Sequence, residues 1–166
     1  MANAIKKTCP QAKLVAGGPH YYNFPRWEEP FDAIVYSPEG ELPLEGLADA
    51  WLRGRELKEV PGIATKEFKT ELPKLLPSID EMPFPAYDLL KGMKEPYLYQ
   101  AYPTNDYGRK FASLITSRGC WGRCTFCSSA EAMQRTWRGM SAKRLFEFLS
   151  WLEDTFGCSH FYFQDD

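Results

Sequence analysis

The sequence predicts an α/β protein in two parts joined by a proline-rich segment. Three observations carry this. A short apolar run from Lys13 to Ala16 breaks at Gly17-Gly18-Pro19 and is followed by a second apolar run and an amphipathic stripe. Six prolines fall between Glu71 and Pro103. After Phe111 the pattern reads strand, long loop, helix, strand.

Taken in order, Lys13 to Ala16 reads as a strand ending in a tight turn, and Phe31 to Tyr36 as a second strand. Leu44, Leu47, Ala48, Trp51 and Leu52 then fall at i, i+3, i+4, i+7 and i+8, the stripe of a helix that stops near Gly54. This order suits the tail of an α/β domain over residues 1–60. Residues 61–108 form the expected linker, where Pro73, Pro77, Pro83, Pro85, Pro96 and Pro103 each fix their own φ and turn the preceding residue away from helix. Leu75, Leu76, Ile79, Met82, Phe84, Tyr87, Leu89 and Leu90 make it too apolar for a free tether, so it should lie against a domain surface. In the last part, residues 109–166, Phe111 to Thr116 reads as a buried strand that runs into the turn at Gly119-Cys120. Ser141 can cap a helix carrying Leu145, Phe148, Leu149, Leu152 and Phe156 on one face, and Gly157 can end it. His160 to Gln164 supplies the second strand, which a βαβ unit makes parallel to the first.

The chain of 166 residues is 44% hydrophobic and 15% aromatic, ample for a packed core. Twenty Lys and Arg face 22 Asp and Glu with no basic block, so nucleic acid is not an expected partner. No run approaches the roughly 18 apolar residues of a membrane span, and the start Met1-Ala2-Asn3-Ala4-Ile5-Lys6-Lys7 lacks the apolar core of a signal peptide. A cytoplasmic protein without a membrane partner is the expectation. The five cysteines are odd in number, and Cys120, Cys124 and Cys127 crowd together. Reduced thiols serving a metal fit that arrangement better than disulfides do.

A cubane cluster has four irons, and thiolates hold all of them when the task is electron transfer alone. Three ligands leave one iron open. Spacings of three and then two residues let one loop wrap a face of such a cluster, and Gly119 and Gly122 let backbone amides approach it. The alternative is a structural zinc site, which wants four ligands. Cys158 is its candidate fourth ligand, with Cys9 and His20 more remote, although only one C-x-x-C pair is present. Arg118, Arg123, Arg135 and Arg138 surround the loop, where positive charge suits an anionic group and suits a solvated face equally. Trp121, Trp137, Trp151 and Phe161-Tyr162-Phe163 read as core.

The pattern Cys120-x-x-x-Cys124-x-Phe126-Cys127, after Ser113-Leu114-Ile115-Thr116-Ser117-Arg118-Gly119, resembles the radical S-adenosylmethionine superfamily. Val15-Ala16-Gly17-Gly18-Pro19-His20, Glu39-Gly40-Glu41, Pro61-Gly62-Ile63-Ala64 and Asp80 to Asp88 resemble its cobalamin-binding branch. The resemblance implies the tail of a Rossmann-like cobalamin-binding domain, then the linker, then the first βαβ unit of a partial TIM barrel. It implies that Cys120, Cys124 and Cys127 hold a 4Fe-4S cluster whose open iron binds S-adenosylmethionine, which is cleaved reductively to a 5'-deoxyadenosyl radical. The resemblance also implies that Phe126 packs near the adenine and that Asp165 or Asp166, at a strand's carboxyl end, contacts the cofactor's amino group or ribose, a solvated strand end being the alternative. Gly17 and Gly18 correspond to the turn that approaches the cobalamin tail. An external one-electron donor such as flavodoxin or ferredoxin is implied, with a small-molecule or peptide substrate. Methyl transfer, ring formation and methylthiolation all remain open. The family's Asp-x-His-x-x-Gly motif, which supplies the lower cobalt ligand, is absent upstream of Leu14, and its Gly-Glu-Gly-Glu is here Ser37-Pro38-Glu39-Gly40-Glu41. A closed barrel takes roughly 200 residues, more than follow Cys127, so the expectation is a fragment of an enzyme, inactive by itself.

Overall fold

The structure is a computed structural model, and it describes residues 1–89, 111–128 and 133–165. The chain divides into two compact units, Met1–Leu75 and Leu76–Asp166.

The first unit is built on a three-stranded sheet of β1 (Val15–Ala16), β2 (Ala33–Val35) and β3 (Ile63–Ala64). β1 runs parallel to β2, and β3 runs antiparallel to it. Successive side chains of β2 point to opposite faces, and both faces are covered. Ala33 and Val35 pack with Leu47, Ala50, Val60 and Ile63, while Ile34 and Tyr36 pack with Ala64, Ala16, Tyr21, Trp27 and Phe31. Asp32 ties helix α1 (Ala2–Thr8) to the sheet: its carboxylate accepts from Lys6 Nζ at 2.7 Å and from the Leu14 amide at 2.8 Å.

Helix α3 (Glu41–Arg53) ends on Gly54 in the left-handed conformation, as its sequence predicts. Its buried face is rotated from the expected stripe. Pro43, Leu47 and Ala50 are buried, while Leu44 and Leu52 are exposed. Gly46 is the reason, since a Cβ there would stand 2.9 Å from Val60 Cγ1. Its missing side chain lets this flank of the helix settle onto Val60.

The first unit reaches beyond residue 60, into the stretch read as linker. Gly62 turns the chain with φ +75°, and β3 follows. The segment then folds back: the Gly62 amide donates to Glu71 O, the Thr70 amide to Ile63 O, and the Tyr36 hydroxyl to Thr70 O. β3 is two residues long and lacks the apolar run by which strands are recognised in a sequence. Residues 90–108 of the expected linker lie outside the described residues.

The second unit pairs β4 (Phe111–Leu114) with the last strand, β7 (His160–Phe163), in parallel and in register from Phe111↔His160 to Leu114↔Phe163. Helix α4 (Ala142–Phe156) connects them. Ser141 caps it, its Oγ accepting from the Arg144 amide at 3.1 Å, and Gly157 closes it with φ +69°. Its face buries Phe148, Leu152 and Phe156 with Ala112, Leu114 and Cys158. Two residues of the proline-rich stretch pack on this helix: Phe84 stacks on Phe148 at 4.5 Å, and Tyr87 meets Trp151 and Phe156. Between β4 and α4 the chain makes a two-stranded ribbon, β5 (Ser117–Arg118) antiparallel to β6 (Arg138–Gly139), which the sequence reading did not foresee. No helix among the described residues is long and apolar enough to cross a membrane.

Candidate metal and cofactor site

The cysteine loop leaves the carboxyl end of β4 and is closed at its neck. The Met140 amide donates to Thr116 O at 2.7 Å, and Ser117 pairs with Gly139. Gly119 makes the turn out of the ribbon with φ +89°, and a Cβ there would lie 2.0 Å from the Thr136 carbonyl oxygen. Only glycine fits. Trp137 lies across Gly139, whose added Cβ would stand 2.5 Å from the indole ring, and Trp137 meets Trp121 edge to face at 5.8 Å. Contrary to the reading of both tryptophans as core, they are largely exposed.

Beyond this turn none of the three cysteines is in a disulfide, with Cys120 half-buried and Cys124 and Cys127 exposed. The Gly122 amide points at Cys120 Sγ, 3.3 Å away. A Cβ at Gly122 would stand 3.2 Å from Cys120 Sγ and 3.9 Å from Cys124 Sγ, so both sulfurs flank this glycine. The Cys127 amide donates to Cys124 O at 3.2 Å, closing a turn. Among the described residues, however, no three His, Cys, Asp or Glu side chains stand together as a ready metal site. The backbone brings the three cysteines onto one loop without gathering their sulfurs at one point. Phe126 is 90% exposed, clear of any core.

Cys158 is wholly buried among Leu114, Phe148, Leu152 and Phe156, a small apolar filler of the core. The fourth ligand expected of a zinc site is therefore not presented by this residue. Of the surrounding arginines, Arg138 directs Nη1 to Leu76 O at 2.7 Å. Arg118 is its cross-strand partner in the ribbon.

Asp165 makes contacts that its place in the sequence does not announce. Its Oδ1 accepts from the Thr116 amide at 2.7 Å, the Ser117 amide at 2.5 Å and Ser117 Oγ at 2.9 Å, and its Oδ2 accepts from Thr116 Oγ at 2.7 Å. Both oxygens serve the neck of the cysteine loop. Partial burial pushes the carboxyl pKa up, but the Thr116 and Ser117 hydroxyls and amides outweigh it and hold the group below its ordinary range. The partners lie nearly fifty residues upstream, so no local sequence signal announces the contact. Asp166 lies outside the described residues.

In the first unit, Gly17 follows β1 with its Cα close to Val35 O, where a Cβ would come within 3.3 Å. Gly18 has φ +98° and nothing within 4 Å of where a Cβ would be, so its backbone is open to approach. It leads into the short helix α2 (Pro19–Asn23). His20 lies on that helix, against Tyr21 and Phe24, and borders a groove of about 590 Å³ with Asn23, Phe24, Pro25 and Arg26.

No protein-family model matches the chain. It is 39% identical over 160 residues to a methyltransferase of Pyrococcus horikoshii described as uncharacterised, an alignment covering 92% of this chain and 33% of that protein. It is 27% identical over 172 residues to the cobalamin-dependent radical SAM methyltransferase TokK of Streptomyces tokunonensis, covering 95% of this chain and 24% of TokK. Its fold matches the cobalamin-dependent S-adenosylmethionine radical enzyme OxsB with a TM-score of 0.66 at 22% identity, over 99% of this chain and 22% of OxsB. The chain thus spans about a third of the first of these relatives and less of the others.

Proposed function

We propose, on the premise that this chain belongs with the methyltransferases of the cobalamin-dependent radical S-adenosylmethionine branch, that its second unit holds a 4Fe-4S cluster through Cys120, Cys124 and Cys127. One observation carries the reading: three thiols, none in a disulfide, share one glycine-hinged loop at the carboxyl end of a parallel strand, with two sulfurs flanking Gly122, whose own amide donates to Cys120 Sγ. Amide hydrogen bonds to sulfur are among the features that tune such clusters. The donor set fits the group, since Gly122 leaves free the space that a side chain would fill against Cys120 Sγ. When bound, such a cluster supplies the electron for reductive cleavage of S-adenosylmethionine.

The chain's own residues hold, orient and shield. Gly119 and the β5–β6 ribbon fix where the loop begins. Phe126 offers an exposed ring on which the adenine can stack. In the first unit, the open backbone at Gly18 suits close approach of a cobalamin side group. Methyl transfer to a small-molecule or peptide substrate is the proposed reaction of the complete enzyme, with electrons from an external one-electron donor.

Anaerobic reconstitution with iron and sulfide tests this reading. About four irons per chain are expected, with a reduced-state electron paramagnetic resonance spectrum that changes when S-adenosylmethionine is added. Changing all three cysteines to alanine without loss of iron would rule it out.

A further inference from the structure

We infer that Asp165 is a positioning residue, whose carboxylate sets the neck of the cysteine loop and thereby the placement of the cluster-binding thiols; this rests on the cluster reading above. Four hydrogen bonds converge on the one carboxylate, two from backbone amides and two from hydroxyls, all belonging to Thr116 and Ser117. Ser117 is buried and Asp165 stands just beyond β7, so the carboxylate joins the end of one parallel strand to the exit of the other.

The neighbouring contacts show why this point governs the loop. The Gln164 amide donates to Leu114 O at 2.8 Å, the last rung between the strands. Beyond it the two chains diverge, and the Thr116 and Ser117 amides would lack partners on β7 without a side chain reaching back. Asp165 supplies both. Ser117 then pairs with Gly139 while Thr116 O receives Met140, so the direction in which Gly119 and Cys120 depart follows from where Asp165 holds Thr116 and Ser117. Removing the carboxylate leaves two amides and two hydroxyls at the neck to find other partners.

Asparagine separates this role from a charge contact with a ligand. Its Oδ1 can accept both amides, and its NH2 can donate to Thr116 Oγ, which is acceptor as well as donor. Alanine can do neither.

The test uses the full chain in two arms. In metal-free protein, hydrogen–deuterium exchange of the peptide carrying Thr116 and Ser117 is expected to quicken in Asp165→Ala and to stay near wild type in Asp165→Asn. Thr116→Val, which removes only the Oδ2 contact, should fall between them and serves if the alanine variant does not fold. In anaerobically reconstituted protein, Asp165→Ala should retain the cluster about tenfold less well, while Asp165→Asn keeps both its iron and its spectral response to S-adenosylmethionine. Unchanged exchange in Asp165→Ala overturns the inference. So does an Asp165→Asn variant that keeps normal exchange and iron but loses the response to S-adenosylmethionine, the outcome of a direct charge contact. A wild-type chain that takes up no iron overturns the cluster reading instead, and the exchange arm then decides by itself whether Asp165 sets the neck.

Discussion

Two glycines with positive φ separate conformational strain from steric collision. Gly18 and Gly119 have φ of +98° and +89°, but a Cβ on Gly18 meets open space and one on Gly119 meets the Thr136 carbonyl oxygen at 2.0 Å. Gly18→Ala therefore bears backbone strain alone, about 1 kcal/mol. Gly119→Ala adds a backbone collision that no rotamer can relieve, and should cost about 3 kcal/mol while parting β5 from β6. Urea midpoints of the two variants check the ranking, and a faster alkylation of Cys120 in Gly119→Ala checks that the ribbon has opened. Equal midpoints would contradict the collision argument.

Among the elements, α4 depends on its first turn. Ser141 Oγ accepts from the Arg144 amide, and the Ser141 amide donates to Asp80 Oδ1 at 2.8 Å, so the cap is itself held by the proline-rich stretch. Arg144 reinforces the junction, donating to Met82 O at 2.7 Å with its guanidinium 3.8 Å from the centre of the Phe84 ring. Ser141→Ala should cost about 1 kcal/mol in chemical denaturation, and Ser141→Asp should recover most of it. The sequence made α4 legible because both of its end signals, Ser141 and Gly157, are local and its apolar face repeats at helical spacing. β4 was legible as the start of the run from Phe111 to Thr116, and β7 as an aromatic run. The ribbon was not, since each of its strands is two residues long and the pairing spans some twenty residues of chain. The cysteines themselves were legible from spacing. What holds them was hidden, because Asp165 and Thr116 meet only through the parallel pairing of β4 and β7.

Among the described residues of the molecule, three carboxylates with lowered pKa make stability depend on pH in one direction. For Asp32, burial pushes the pKa up, but the Leu14 amide and the Lys6 ammonium outweigh it; for Asp80, hydrogen bonds from Ser141 lower it; Asp165 is lowered by Thr116 and Ser117 against its burial. A folded pKa below the unfolded value, about 3.9 for aspartate, means that the stabilisation is complete above that value and is lost as pH falls through the folded pKa values. Urea midpoints should hold steady from neutral pH to about 5 and decline below about 4. Asp32→Asn and Asp165→Asn should each flatten part of that decline. A midpoint that rises on acidification would contradict the assignment of these groups.

Thr116 and Met140, joined by one 2.7 Å hydrogen bond, also bear on how such a protein can change over time. The two ends of the cysteine-bearing stretch already touch, and among the described residues the core under β4, α4 and β7 draws nothing from 117–128 or 133–139. The stretch is therefore a cassette. Between the fixed positions Ser117, Gly119 and Gly139 its length and sequence can drift, or be exchanged for those of a relative, at little entropic cost to the scaffold that carries it.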